Sequence, residues 1–125
     1  MNNVDKVEMS LPAKKEYARL LRLAVAGLAS RMNFTVDGLE DLKIGLEEAY
    51  LMAMSDENQE NFNVAFEIHE DRLEIMVTGL RSVATLEEEL SQKFGFSILH
   101  SVMDKVEWTA IDETMKNLRM TKHII

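Results

Sequence analysis

Residues 62–77 read FNVAFEIHEDRLEIMV, and large apolar side chains recur at every second position on both sides of the charged turn HEDR. A period of two is typical of a β-strand with one buried face. Two such runs joined by a short polar turn predict a β-hairpin. The side chains predicted to face the core of this hairpin are Phe62, Val64, Phe66, Ile68, Leu73, Ile75 and Val77.

Helical segments lie on both sides of the hairpin in the sequence. The first reaches to about Asn33, and the second opens near Asp37, which with Glu40 three residues later resembles a helix N-cap. A capping box of Thr85 and Glu88 opens a third segment. Apolar residues at helical spacing mark the sides predicted to be buried. They include Leu20, Leu21, Val25, Leu46, Ala49, Phe94 and Leu99.

Three shorter stretches complete the pattern. Residues 7–11 alternate ahead of the single proline, Pro12, and residues 106–111 and 117–124 form a second predicted hairpin. The order β-α-α-β-β-α-β-β groups the helices instead of alternating them with the strands. We therefore predict an α+β fold, a two-layer sandwich with an antiparallel-rich mixed sheet and the helices on one face. A chain of 125 residues suits one domain over residues 1–125.

The composition argues against several function classes. There are 22 acidic and 14 basic residues, and phosphate binding needs clustered lysine and arginine, so we expect no nucleic-acid partner. Without cysteine, no disulfide or thiolate metal site can form. Because His69, His100 and His123 fall in different elements without ligand spacing, we also expect no metal site. No apolar run approaches the ~20 residues of a membrane span, and no signal-peptide core is present, which favours a cytoplasmic protein without a membrane partner.

The second helical segment carries the candidate chemistry. Glu48 and residue 52 are four positions apart, so both project from the same helix face. An asparagine or aspartate at position 52 would let the pair hold Mg²⁺ through oxygen ligands. The residue is Met52, whose soft thioether is a poor ligand for a hard cation and is more simply interpreted as core or interface packing. An exposed helix glutamate is usually a solvated charge, so the residues alone leave Glu48 open between that interpretation and a catalytic role.

Five segments together resemble one protein family, the anti-sigma-factor serine kinases, which are small members of the GHKL (Bergerat-fold) ATPase superfamily. The first two are similar to the family's first two helices, the third to the strand that ends in an Asp-x-Gly box, the fourth to a Gly-x-Gly segment and the fifth to the last strand. The resemblance covers nearly the whole chain and implies a Bergerat-like fold. The segments are KKEYARLLRLAVAGLASRM at 14–32, DGLEDLKIGLEEAYLMAM at 37–54, EDRLEIMVTG at 70–79, FGFSILHSVMDKVEW at 94–108 and LRMTKHI at 118–124.

The resemblance assigns a role to several residues of the nucleotide site. Glu48 matches the glutamate that the family uses as general base near the γ-phosphate. Met52 matches the asparagine that holds Mg²⁺ and phosphate, and Thr121 matches a hydroxyl residue on the last strand. Gly79 falls where the family has the aspartate that binds adenine, and Arg81 where it has the following glycine. Two of these positions thus lack the side chain that the family's chemistry uses.

Two further regions of the resemblance concern the ATP lid and the partner surface. Gln92 and Lys93 replace the first glycines of the lid motif and leave only Gly95, and the connection ahead of the motif is short, so the resemblance implies a reduced lid. Arg19 matches a family position that faces protein partners. A solvent-facing arginine on an amphipathic helix is an equally good interpretation of Arg19.

Taken together, the resemblance implies a degenerate member that keeps the fold and the protein-binding role but not the kinase reaction. The expected partners are a sigma factor, an anti-anti-sigma protein or both, with a homodimer as the expected assembly and no cofactor or metal. The alternative is an active ATP-dependent serine kinase that binds ATP and Mg²⁺ through a repositioned ligand, with Asp41 and Asp56 as acidic neighbours in sequence. A regulatory binding module unrelated to sigma factors is a third hypothesis.

Overall fold

The computed structural model of the chain describes residues 4–53, 61–81, 86–111 and 115–124. Within these residues there are five strands, β1 (Asp5–Pro12), β2 (Asn61–Ile68), β3 (Arg72–Arg81), β4 (Lys105–Ala110) and β5 (Met115–His123). They form one sheet in the order β1-β2-β3-β5-β4. All four neighbouring pairs are antiparallel, so the sheet is wholly antiparallel and not mixed.

The predicted central hairpin is confirmed as β2 and β3. In its register Phe66 lies opposite Ile75 and Val64 lies opposite Val77, which places the large apolar side chains on one face. The backbone N–H of His69 donates to the carbonyl of Arg72 at 3.0 Å and closes the turn. The strand β3 runs further than the alternation indicates, because it passes an irregularity between Val77 and Leu80 and continues to pair with β5.

The three predicted helices are present as α1 (Ala18–Ala29), α2 (Val36–Ala53) and α3 (Leu86–Val102), and a 3-10 turn at Lys15–Tyr17 precedes α1. The first helix ends before the predicted Asn33, which has a φ of +65°. That left-handed conformation stops a right-handed helix, and asparagine tolerates it better than most residues. Among the described helices, none combines the length and the apolar character needed to cross a membrane.

The N-cap of α2 differs from the prediction. The backbone N–H of Gly38 donates to Oγ1 of Thr35 at 3.0 Å, so Thr35 is the capping residue. Asp37 lies inside the first turn, where its negative charge is near the positive end of the helix. The capping box predicted at Thr85 and Glu88 falls on side chains outside the described part of the structure.

The core lies between the helices and one face of the sheet, as predicted for a two-layer sandwich. Leu21 and Val25 of α1 are fully buried, whereas Leu20 is 42% exposed and Phe94 is 72% exposed. The prediction that these last two are buried is therefore wrong. Each is one residue from an inward-facing position, and one residue along a helix is a rotation of about 100°. The other large buried side chains are Leu42, Leu46, Tyr50, Phe62, Val64, Phe66, Leu73, Ile75, Val77, Leu99, Leu118 and Met120.

Tyr50 joins α2 to the segment that follows β1. Its ring is fully buried, with its centroid 4.6 Å from that of Phe62. Its hydroxyl donates to the carbonyl oxygens of Pro12, at 3.2 Å, and of Lys14. The hydroxyl is thereby satisfied inside the core, and it fixes the path of the chain from the edge strand to the first helix.

We expect Tyr50→Phe to lower the free energy of unfolding by about 1 kcal/mol, the typical net value of one hydrogen bond. The loss stays small because both carbonyls keep a backbone donor, Lys14 N–H at 2.8 Å and Tyr17 N–H at 3.1 Å. Urea unfolding followed by circular dichroism measures this change in the free energy of unfolding. Tyr17→Phe, which removes the hydroxyl of a half-buried ring on the 3-10 turn, is the control. Equal stability of wild type and Tyr50→Phe would contradict the anchoring role.

Candidate functional site

The helices α2 and α3 run antiparallel in direct contact, and a glycine on each marks a point of close approach. A Cβ built on Gly45 of α2 would overlap Cε of Met103 and lie 3.3 Å from Cγ2 of Val102. A Cβ built on Gly95 of α3 would lie 3.3 Å from Sδ of Met52. Because rising numbers on α2 meet falling numbers on α3, the two helices have opposite directions. There is little room at either point for a larger residue.

Three residues that the resemblance assigns to the nucleotide site meet at the second of these points. Gly95 lies against Met52, and a Cβ on it would be 3.5 Å from Oε2 of Glu48. The side chain of Met52 is 8% exposed and belongs to the hydrophobic core, which confirms its interpretation as packing. We call Glu48, Met52 and Gly95 the helix-contact site. It consists of one carboxylate beside a thioether and a backbone surface.

Glu48 is a half-buried carboxylate, which differs from a freely solvated surface charge. Burial raises its pKa above the ordinary value, and the negative charge of the neighbouring Glu47 raises the pKa further. Glu47 itself points to Arg22 of α1, with Oε2 3.9 Å from Nη1. The folded protein therefore favours the protonated form of Glu48 more than the unfolded chain does. A carboxylate with a raised pKa is the kind that general acid–base chemistry uses, although structural contacts produce the same shift.

The other residues assigned by the resemblance lie in regular secondary structure. Gly79 and Arg81 belong to β3, at and just beyond its register irregularity. Gln92 and Lys93 lie inside α3, so the positions of the family's lid glycines are helical. Thr121 is buried opposite Glu74, on the face of the sheet away from the helices, which we call the outer face. The structure therefore does not bring Thr121 to the helix-contact site.

Asp41 and Asp56 are the acidic residues considered as replacement Mg²⁺ ligands. Asp41, the one that the structure describes, is not placed for that role. Asp41 lies eleven residues before Met52 on α2, about 16 Å along a helix axis. Its Oδ2 accepts a hydrogen bond from Nζ of Lys122 at 3.1 Å, and the same Nζ donates to the carbonyl of Val102 at 2.8 Å. Asp41 thus joins α2, α3 and β5. Asp56 lies outside the described residues.

The structure also reveals a group that the sequence analysis missed. The sequence predicts no ligand spacing around His69, but its side chain is only 16% exposed and lies beside Glu67 and Glu74 on the outer face. The signal was present, since Glu67 and Glu74 are opposite each other in the hairpin register and His69 opens its turn. The partner that completes the group, Arg119, comes from a strand far along the chain.

Comparison with known proteins gives several relatives with the same name. No protein-family model matches the chain. It is 35% identical to the serine-protein kinase RsbW of Bacillus cereus (strain Q1), over 99% of this chain and 88% of the relative. It is 34% identical to RsbW of Oceanobacillus iheyensis, over 86% of this chain and 80% of the relative. The chain belongs to the serine-protein kinase RsbW family.

The resemblance to anti-sigma-factor serine kinases is thereby confirmed, and the relatives differ in how much of their length is matched. RsbW of Bacillus velezensis is 46% identical, but the match covers 60% of this chain and only 49% of that protein. The alignment with RsbW of Bacillus cereus (strain Q1) runs over 143 positions, more than the 125 residues of this chain. That relative therefore has residues that this chain lacks.

A charge substitution at the helix-contact site tests the environment of Glu48. Because its pKa is raised in the folded state, its contribution to stability is complete below the ordinary pKa and is lost as the pH rises through the raised value. We expect Glu48→Gln to be at least as stable as wild type at pH 7, by less than about 1 kcal/mol since solvent screens a half-exposed charge. The difference should shrink as the pH falls to 4.

Urea unfolding at a series of pH values measures this difference. Glu40→Gln, on the same helix, is the matched control, because it loses the 3.1 Å ion pair between Glu40 and Lys43 and should not gain stability. A Glu48→Gln protein that is clearly less stable than wild type at pH 7 would mean that the ionised carboxylate makes a stabilising contact.

Proposed function

We propose that this chain is an anti-sigma-type regulatory protein that acts by binding protein partners and no longer carries out a nucleotide-dependent kinase reaction. The partners are a sigma factor, an anti-anti-sigma protein or both. The observation that carries the proposal is the helix-contact site, where Met52 packs against Gly95 beside Glu48. The residue type and the packing at this point are those of a protein core.

The metal requirement of kinase chemistry supports the proposal. Phosphoryl transfer uses Mg²⁺ to neutralise the triphosphate, and Mg²⁺ takes oxygen ligands in a strict octahedral geometry. At the position where the family has asparagine, Met52 offers a thioether that is 8% exposed. Asp41, the described residue considered as a replacement ligand, is bonded to Lys122. Neither Met52 nor Asp41 is therefore available to hold Mg²⁺, and the metal would not neutralise the negative charge of a bound triphosphate at this site.

The backbone of α3 gives a second argument. A phosphate is bound by free N–H groups in a glycine-rich loop or at a helix N-terminus. In α3 the helix begins at Leu86, nine residues before Gly95, so the N–H groups around Gln92 and Lys93 are used within the helix. The free N–H groups of the first turn lie about 9–13 Å along the axis from Gly95.

The adenine side of the site gives a third argument. A glycine at position 79 has no side chain to accept a hydrogen bond from the adenine amino group, as the family's aspartate does. Each unsatisfied polar group at such a site costs about 1–3 kcal/mol. The alignment with RsbW of Bacillus cereus (strain Q1) runs over 143 positions and so contains gaps within this chain, which supports a reduced lid.

An active serine kinase remains the alternative, and one observation favours it. The raised pKa of Glu48 and its half-buried position suit a general base. The relatives are also named serine-protein kinases. This alternative requires a Mg²⁺ ligand other than Met52 and Asp41, and nucleotide binding separates it from our proposal. A binding module that does not recognise sigma factors, the third hypothesis, is separated by the identity of the partner.

The outward face of α1 is our candidate partner surface. Arg19 is exposed there, and Leu23, four residues later on the same side of the helix, is 65% exposed. Leu20 between them is 42% exposed. Exposed leucines beside an arginine suit a partner with apolar and acidic side chains. The homodimer that the resemblance implies belongs to the same proposal, and light scattering after size exclusion tests it.

We expect Mg-ATP and Mg-ADP to bind the chain with dissociation constants no tighter than about 1 mM, equivalent to about −4 kcal/mol. Titration calorimetry measures this, with RsbW of Bacillus subtilis, 44% identical over 80 residues, as the positive control. Met52→Asn alone should not restore binding, because the contacts at Gly79 and at the lid positions are still missing.

The same titration on a triple variant with Met52→Asn, Gly79→Asp and Arg81→Gly tests how the losses of binding free energy at these three positions combine. Binding of Mg-ATP at micromolar concentration by the wild type would overturn the degenerate site and favour the kinase. Tight binding by Met52→Asn alone would mean that the rest of the pocket is intact. Neither outcome affects the membership of the chain in its family.

For the partner surface, we expect Leu23→Asp and Arg19→Ala each to weaken binding of the sigma factor that co-purifies from the source cells by at least about tenfold. Val36→Asp, at an apolar position of α2 that is 78% exposed, is the matched control and should leave binding unchanged. Calorimetry on the purified pair measures the affinities. Unchanged binding by both α1 variants would place the partner surface elsewhere.

A further inference from the structure

The group around His69 on the outer face has the spacing of a metal site. One ligand atom from each of Glu67, His69 and Glu74 lies within 4.8 Å of the other two. Nε2 of His69 is 2.8 Å from Oε2 of Glu74 and 3.4 Å from Oε1 of Glu67. The hairpin register places the two glutamates opposite each other, and the turn brings the imidazole to them. This arrangement is fixed by the backbone of β2 and β3.

The imidazole nitrogen at the centre of this group lacks a hydrogen-bond partner. Nε2 of His69 is buried, and neither carboxylate contact has the geometry of a hydrogen bond. The side chains of His69 and Glu74 are 16% and 13% exposed, so water reaches them poorly. A buried nitrogen that faces two carboxylate oxygens without bonding to either is arranged as a ligand would be.

Arg119 of β5 holds the two carboxylates by their other oxygens. Its Nη2 lies 3.3 Å from Oε2 of Glu67, and its Nη1 lies 3.3 Å from Oε1 of Glu74. Each carboxylate therefore uses one oxygen for the guanidinium and directs the other at His69. This is the position of an outer-shell group that orients metal ligands and offsets their charge. Arg72, with Nη2 3.5 Å from Oε2 of Glu74, is the one described cation that competes for an inner oxygen.

We propose that Nε2 of His69, Oε1 of Glu67 and Oε2 of Glu74 bind a divalent transition metal of the zinc class. Three ligands at about 2.0–2.2 Å from a tetrahedral zinc are separated by about 3.3–3.5 Å. The 3.4 Å separation of His69 and Glu67 already fits, and the 2.8 Å separation of His69 and Glu74 opens by about half an ångström on binding. An imidazole with two carboxylates suits zinc better than Mg²⁺ or Ca²⁺, which take oxygen ligands alone. A water completes the fourth position.

The alternative for this group is an ion pair in which a protonated His69 bridges both glutamates. The two arrangements exclude each other, because a metal takes the same nitrogen that the proton would occupy. The site also lies on the outer face, on the side of the sheet opposite the helix-contact site and α1. Metal binding is therefore independent of the function proposed above, and a variant of His69 leaves those surfaces unchanged.

Titration of zinc chloride into the full chain at pH 7.5, in a buffer that does not chelate, tests the proposal. We expect one zinc per chain with a dissociation constant at or below about 10 μM, and a rise in melting temperature with zinc concentration. His69→Ala and Glu74→Gln should each weaken binding by about 100-fold or more, since each removes a direct ligand. His100→Ala, which removes an exposed histidine from α3, is the matched control and should bind as wild type does.

Two outcomes overturn the proposal. One is the absence of zinc binding by wild type at 100-fold excess over the protein. The other is equal affinity in wild type and both ligand variants, which would assign binding to scattered surface carboxylates. If His69→Ala does not fold, as judged by circular dichroism in EDTA, Glu74→Gln decides alone, because glutamine keeps the shape of the side chain. Loss of binding in the His100→Ala control would also contradict the assignment.

Discussion

The close contact between α2 and α3 is the constraint on which the rest of the structure depends. Glycines at positions 45 and 95 let the helix surfaces meet, and the side chains of Met52 and Met103 occupy the space that larger residues would need. The ammonium group of Lys122 then bonds to both helices from below, through Asp41 and the last turn of α3. The two helices are thereby joined to each other and to β5, and the core lies between them and the sheet.

In our proposal, the same contact is the place where the chain keeps its family's fold while a residue of the kinase site becomes part of the core. Glu48 sits at the edge of an apolar contact that raises its pKa, so the residue is an electrostatic cost in its present surroundings. If Glu48 has no catalytic role, a neutral residue could replace it with little loss of stability. In our proposal Glu48 is a remainder of the kinase site, while Met52 has already become part of the core.

The spacing of the apolar residues predicted most of the strands and helices. It did not always predict which residues of a helix lie at the centre of its buried face. The alternation in residues 62–77 gave the hairpin and its inward face correctly, because a period of two leaves only two choices. On the helices a stripe can be shifted by one residue, which is why Leu20 and Phe94 were assigned to the core in error. The cap of α2 was misplaced for a similar reason, since Thr35 and Asp37 are two positions apart and both residue types suit that role.

The candidate sites could be predicted only in part. The resemblance supplied the roles of Glu48 and Met52, but their contact with Gly95 joins residues more than forty positions apart and needs the packed structure. The group around His69 depends on the hairpin register and on Arg119, which is 45 residues beyond Glu74. The register of the predicted hairpin could therefore have placed Glu67 opposite Glu74, whereas spacing along the chain could not reveal the contact with Arg119. Pairs distant in sequence are decided by topology, and the sequence pattern does not encode the order of strands in a sheet.

The strand order has a consequence for how the chain assembles. The pairs β2–β3 and β4–β5 each join neighbours across a short turn, so both form with a small loss of chain entropy. Pairing β3 with β5 closes a loop that contains all of α3 and β4, and pairing β1 with β2 closes a longer loop that contains α1 and α2, so both are more demanding steps. We expect the two hairpins to form early and the sheet to close late, with α3 settling against α2 as it closes. The contact at Gly95 is then among the last native interactions to form, and its loss would speed unfolding more than it slows folding.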